Sequence, residues 1–269
     1  MLVTTTTVAA ILLYLGATLF HITQRLRSPA STAPTVLMAA GGIALALHGY
    51  VASELVFSGA GVNFSLWPAS VLILFVVNLI VLLSSLRKPL HSLLILLFPA
   101  SALGLTLSLA LGTDLPHKDH LSLQIGVHVL FSLLAYSVFT VAAAHALLLA
   151  YQDRRLKQHH PGGFLRGLPP LQTMEALLFE YIWAGIILLT LSLITGFLFL
   201  ENLWAQHLAH KSFFSVVAWL VFATLLWGRY RIGWRSRTAI RWTLGGFISL
   251  ALAYWGSKFV LEVLLGVPA

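Results

Sequence analysis

The chain has 269 residues, 59% of them hydrophobic and 9% charged, with a formal net charge of +8 and no cysteine. A soluble domain carries roughly a quarter charged residues, so the composition excludes an ordinary water-soluble protein. The missing cysteines exclude disulfides, thiol redox chemistry, Cys zinc sites and thioether-linked cofactors on this chain.

A hydrocarbon core of about 30 Å takes about 20 residues of helix. Eight runs reach that length, near 3–23, 35–57, 66–86, 91–111, 121–150, 177–200, 212–230 and 240–265. The expectation is an all-α fold, a polytopic membrane helix bundle forming one membrane domain over 1–269. Span 1, MLVTTTTVAAILLYLGATLF, has no basic n-region, and Arg25 and Arg27 come after it. It therefore reads as a retained span and not as a cleavable signal peptide. Span 3 contains the uncharged run VLILFVVNLIVLLSSL and span 6 the uncharged run AGIILLTLSLITGFLFL. The longest loop, at 151–176, contains Pro161-Gly162-Gly163 and Pro169-Pro170, which end any helix continuing from span 5. It divides spans 1–5 (1–150) from spans 6–8 (177–269) in sequence without making either an independent domain. No internal repeat stands out, and Thr4 to Thr7 is the one low-complexity tract.

The basic residues set an expected orientation. Arg25, Arg27, Arg87, Lys88, Arg154, Arg155, Lys157, Arg166, Arg229, Arg231, Arg235, Arg237 and Arg241 all fall in alternate loops, which leaves Lys118, Lys211 and Lys258 for the other side. The positive-inside rule makes the first set cytoplasmic and turns both termini outward. The basic excess then reflects topology and contact with the lipid bilayer, and no nucleic-acid partner is expected.

That topology sorts the eleven histidines. His117, His120, His207 and His210 fall in or beside outer loops, where solvation competes with a metal or haem role. His159 and His160 lie in the long loop, and His91 at the start of span 4. Four are inside spans: His21 and His145 towards the cytoplasmic face, His48 and His128 towards the outer one. Ionisable groups within a membrane face the bundle interior and mark functional sites. Below His128 one face of span 5 reads Ser132, Ala135, Ala142; below His48 span 2 reads Ala44, Gly41. Opposed, such faces leave a slot for a flat, apolar, metal-centred ring with one imidazole on each side. Haem b fits that description, since imidazole is a common axial ligand, and Met1, Met38 and Met174 leave little scope for a His/Met iron. The competing reading is plain packing, because small residues let membrane helices approach and a His among them can hydrogen-bond across.

Two other side chains have paired readings. Trp219 lies mid-span among Trp204, Trp227, Trp234 and Trp242, and either lines a cavity or packs. Lys258 either pairs with Glu262 one turn on or snorkels, or else meets a haem propionate. No GxxxxGK[ST] loop and no HExxH helix is present. Glu54, Glu180 and Glu262 all lie near span ends, whereas proton-coupled transport calls for deeper carboxylates. An enzyme is not expected.

The stretches HVLFSLLAYSVFTVAAAHALLLAYQDRRLK, LPPLQTMEALLF and ILLTLSLITGFLF, with the closing run from Ala218 to Glu262, resemble the cytochrome c assembly membrane family in its HemX-like and YpjD-like inner-membrane branch. The likeness is clear from about Leu123 to Glu262 and weak in spans 1–4. It implies a bacterial inner-membrane protein that handles haem at the outer face, with His128 matching the family's outer histidine. The chain departs from the pattern elsewhere. The WGxYWxWDPKE-type loop is replaced by ENLWAQHLAHKSFF, and AYWGSKFVLEVLLG lacks the second outer histidine. Trp227 stands where relatives carry a histidine late in span 7. The resemblance thus implies haem binding by a reduced-motif relative; His48 becomes the second ligand on its outer depth, with His210 in reserve, and the residue pattern adds Ser132, Trp219 and Lys258 around the ring. Cytochrome assembly factors or other membrane proteins are the expected partners. The alternatives are a haem-free small-solute permease or a scaffold for a membrane complex.

Overall fold

The computed structural model describes residues 1–27, 34–58, 61–112, 122–158, 168–199 and 206–264. Among the described residues eight helices are long and apolar enough to cross a membrane, the eighth only with its π-helical continuation to Leu261. They are α1 (Leu2–Arg27), α2 (Pro34–Val56), α3 (Leu66–Ser85), α4 (Leu94–Leu111, entered through a 3₁₀ turn at His91–Leu93), α5 (Leu123–Lys157), α6 (Leu171–Phe199), α7 (Gln206–Arg231) and α8 (Arg237–Ala251). Helix is what such sequences must form in lipid, where each backbone N–H and C=O needs an internal partner. Beyond α8 the chain continues in two π-helical stretches, Leu252–Gly256 and Phe259–Leu264.

The ends of α5 and α6 differ from the expectation. The connection between them is not 151–176: α5 runs on to Lys157 and α6 already begins at Leu171. The hydropathy pattern stops at the membrane, but Arg154, Arg155 and Lys157 are good helix formers and their charge suits a helix C-terminus. Pro169 and Pro170 come immediately before α6, where a missing N–H costs nothing.

The described chain forms two compact units, and span 5 groups with spans 6–8. In the first, α1 packs on α2 and α4, and α3 packs on the same two helices, so four helices close a ring. Tyr14, Phe98, Leu37 and Leu94 fill its core. Between α2 and α3 a short antiparallel ladder pairs Phe57 with Val62 and Ser58 with Gly61. Asn63 Oδ1 then accepts the Ser65 N–H at 2.9 Å, turning the chain into α3. Asn78 of α3 donates to Ser101 of α4 at 2.6 Å, both side chains fully buried.

In the second unit, α7 packs on α6, on α8 and on the first π-helical stretch. The rings of Phe139 (α5) and Phe222 (α7) stack at 3.9 Å. Gly185 of α6 lies against the first ring and Gly246 of α8 against the second. At one end of this unit a polar clasp joins all four helices. Glu175 (α6) accepts from Arg229 (α7) and from the Ser236 N–H at 3.1 Å, while Asp153 (α5) accepts from Arg237 (α8) at 3.3 Å. The α7–α8 turn that delivers these groups uses Gly233 at φ 78° and closes with Trp234 N–H on the Gly228 carbonyl, a left-handed helix stop.

Candidate functional site

His128 stands one turn into α5, at the end of the unit opposite the clasp: Asp153 is 25 residues farther along, about 37 Å at the helical rise. Its ring is half-buried and lies against α6. Nδ1–H donates to the backbone carbonyl of Ser192 at 3.0 Å, with Thr195 Oγ1 at 3.4 Å. A carbonyl can only accept, so this bond fixes the tautomer and leaves Nε2 with its lone pair. The nearest hydroxyl to that lone pair is Ser132 Oγ at 3.4 Å. The Ser132 proton, however, goes to the His128 carbonyl at 2.7 Å, and Ser192 Oγ lies 2.7 Å from Ser132 Oγ. Nε2 is therefore a base whose one neighbour is already engaged. Gly196 makes room for the ring, since a Cβ there would come within 3.1 Å of His128 Cε1.

His48, in the other unit, has a different environment. It is fully buried. Nε2–H donates to the Val71 carbonyl at 3.0 Å and Nδ1 accepts from the Tyr14 hydroxyl at 3.1 Å. Both nitrogens are thus engaged, and one imidazole ties α1, α2 and α3 together. The space expected beneath it is filled as well: Phe98 reaches to 2.6 Å from where a Gly41 Cβ would stand. The small residues of α2 serve close packing, which was the competing reading. This geometry argues against the expected pairing of His48 with His128 on one haem.

His145 is also fully buried, and its Nε2–H donates to the Met174 carbonyl at 2.8 Å. His21 and His91 of the first unit come together edge to face, with ring centres 6.1 Å apart. Trp219 spends its indole N–H on Thr190 Oγ1 of α6 at 2.8 Å, a bond between helices. Lys258 is 5% exposed, and its ammonium lies 5.7 Å from the centre of the Tyr254 ring. The side chain of His210 falls outside the described residues, as do those of His117, His120, His159, His160, His207 and Glu262. Among the described residues no three His, Asp or Glu side chains gather as a metal cluster. Sequence reasoning missed Ser192, Thr195 and Gly196. Their one signal is a polar and small pattern, SLITG, near the otherwise apolar end of α6.

A family model described as Cytochrome C assembly protein matches residues 36–265. The inner membrane protein YpjD of Escherichia coli K12 is 37% identical over 173 residues, 63% of this chain and 65% of that protein. The cytochrome c biogenesis protein CcsA of Gloeobacter violaceus is 28% identical over 103 residues, 38% of this chain and 30% of that one. The chain thus spans less than two thirds of the length of either relative. No solved structure matches it significantly.

Proposed function

The chain belongs to the cytochrome c assembly protein family, and from that premise we propose that it is a bacterial inner-membrane haem-binding protein whose iron ligand is His128. The observation that carries the reading is the state of that imidazole. One nitrogen is anchored to a backbone carbonyl and the other keeps its lone pair beside an engaged hydroxyl. Metal-ligating histidines have this arrangement, in which the second-nitrogen hydrogen bond holds the ring and raises its basicity. A neutral imidazole also brings no net charge to be buried in hydrocarbon. With no cysteine to form thioethers, the haem is b-type and exchangeable. The role is to hold haem or pass it on, near the outer leaflet if the arginine-rich loops are cytoplasmic, and not to catalyse a reaction. His48 is assigned to the framework of its own unit, so among the described residues His128 is the one that would hold the iron.

Purification in mild detergent followed by an absorption spectrum tests this. A Soret band that shifts or disappears in His128→Ala, and persists in His145→Ala, is expected. A preparation that stays colourless after haem is added, or a His128→Ala protein with the wild-type spectrum, refutes it. The first of those results would favour a haem-free permease or scaffold.

A further inference from the structure

The clasp end of the second unit carries more arginine than the clasp uses. Five arginines lie between Arg229 and Arg241. Glu175 takes Arg229 and Asp153 takes Arg237, while Arg235, 76% exposed, reaches Glu175 only at 4.0 Å. Among the described residues Arg231 and Arg241 meet no carboxylate, and both are exposed. Arg241 also shares a helix face with a particular set of neighbours. Arg237, Arg241, Gly245 and Ile248 fall within about 80° of one another at 3.6 residues per turn. Leu252 follows them, and all five residues are exposed. The face therefore begins with two cations and runs on without charge for about 17 Å from Arg241 to Leu252. Its middle is open: no atom lies within 4 Å of a Cβ built at Gly245. Ile248 and Leu252 beyond it are 59% and 47% exposed. Trp234 and Trp242 flank the arginines, their ring centres 5.2 Å apart. Tryptophans favour the boundary between headgroups and hydrocarbon, so the pair sets Arg237 and Arg241 at phosphate depth.

We propose that this face of α8 binds one anionic phospholipid, with Arg237 and Arg241 on the headgroup phosphate and an acyl chain over Gly245, Ile248 and Leu252. Charge and apolar surface together identify the occupant. Arg237 gives its Nε–H to Asp153 and keeps its remaining donors, and planar guanidinium groups match phosphate oxygens in pairs. A soluble anion would satisfy the cations and leave the apolar run bare. A zwitterionic lipid would cover the run but bring its own cation to the arginines. An anionic lipid answers both along one helix. The site lies at the end of the unit opposite His128 and does not rest on the haem reading.

The test exposes the full chain in detergent to equimolar phosphatidylglycerol and phosphatidylcholine with identical acyl chains, and counts retained lipid by native mass spectrometry. One basic residue at an anionic surface is worth about a fivefold preference. Wild type should therefore retain phosphatidylglycerol over phosphatidylcholine by about fivefold or more, and Arg241→Gln should lose about fivefold of that preference. Arg87→Gln removes an exposed arginine just beyond α3 and, as the charge-matched control, should keep it. Gly245→Leu fills the open place below the arginines without touching a charge, and should lower retention of phosphatidylglycerol. Gly16→Leu, at an equally open glycine on α1, should not. Equal retention of the two lipids, or an equal loss in Arg87→Gln and Arg241→Gln, overturns the site. Unchanged retention in Gly245→Leu overturns it too, since the face would then be a patch of charge without a seat for the chain. Displacement of the retained lipid by excess inorganic phosphate would mark a bare anion site and count equally against it.

Discussion

Gly245 and Gly246 are neighbours on α8, and the structure assigns opposite consequences to giving each a methyl group. A Cβ at Gly246 would stand 2.8 Å from Phe222 Cζ and 2.9–3.0 Å from the next two ring atoms, about 0.7 Å inside the separation of roughly 3.5 Å at which carbon atoms pack well. The ring has little room to retreat. Phe139 is stacked behind it at 3.9 Å with the planes 14° apart. Behind Phe139 a Cβ at Gly185 would itself approach to 2.7 Å. Two glycines thus hold two rings in a slot of fixed width, and overpacking such a site costs about 1–3 kcal/mol. At Gly245 nothing lies within 4 Å of the added atom, and alanine there gains up to about 1 kcal/mol from a less flexible backbone. Unfolding of each variant in detergent, by heat or denaturant, should show Gly246→Ala well below wild type and Gly245→Ala at or above it. Gly185→Ala with Gly246→Ala should cost more than the sum of the two, since the rings are squeezed from both sides. Phe222→Leu in the Gly246→Ala background should restore part of the loss. A Gly246→Ala protein as stable as wild type, or a Gly245→Ala protein equally impaired, refutes the stacked slot.

The clasp should be uneven. Glu175→Ala leaves the Ser236 N–H without its acceptor and Arg229, 27% exposed, with only the Trp234 carbonyl; it should cost about 2–3 kcal/mol in the same unfolding assay. Asp153→Ala should cost under about 1 kcal/mol, because Arg237 is 65% exposed and its pairing is largely screened. His48→Ala strands the buried Tyr14 hydroxyl, so it should destabilise the protein by about 1–3 kcal/mol with any haem spectrum unchanged; a lost Soret band in a folded protein would return His48 to the ligand set. Reporter fusions after Arg27, Lys88, Lys157 and Arg235 should all read cytoplasm, given how the basic residues alternate between loops; a periplasmic signal after Lys157 would invert the orientation.

The eight spans were legible because the length of an apolar run is set by the bilayer and needs no knowledge of tertiary contacts. The ends of α5 and α6 were not, because hydropathy is silent once a helix leaves the membrane and propensity decides how far it continues. The small residues of α2 show a deeper ambiguity. Gly41 and Ala44 under a histidine suit a cofactor slot and close packing equally well, and only the position of Phe98, 57 residues beyond Gly41 in the chain, distinguishes them. Trp219 was equally undecidable until Thr190 appeared opposite its N–H.

Depth in the membrane made His48 and His128 look alike, yet the property that separates the proposed ligand from the framework histidine is the kind of atom facing the second nitrogen. Each ring donates one N–H to a main-chain carbonyl, Val71 for His48 and Ser192 for His128. At His48 the remaining lone pair receives the Tyr14 proton, so the bond is complete and buried. At His128 the neighbouring hydroxyl of Ser132 is turned to its own helix carbonyl, as serines inside helices tend to be. A tyrosine hydroxyl stands far from its backbone and must look elsewhere for an acceptor; a serine hydroxyl finds one a turn back. The exchange of Tyr for Ser beside an imidazole is therefore enough to change a closed structural contact into an available base. That difference is written in the neighbours of each histidine, on other turns and other helices, and not in the histidine's own span.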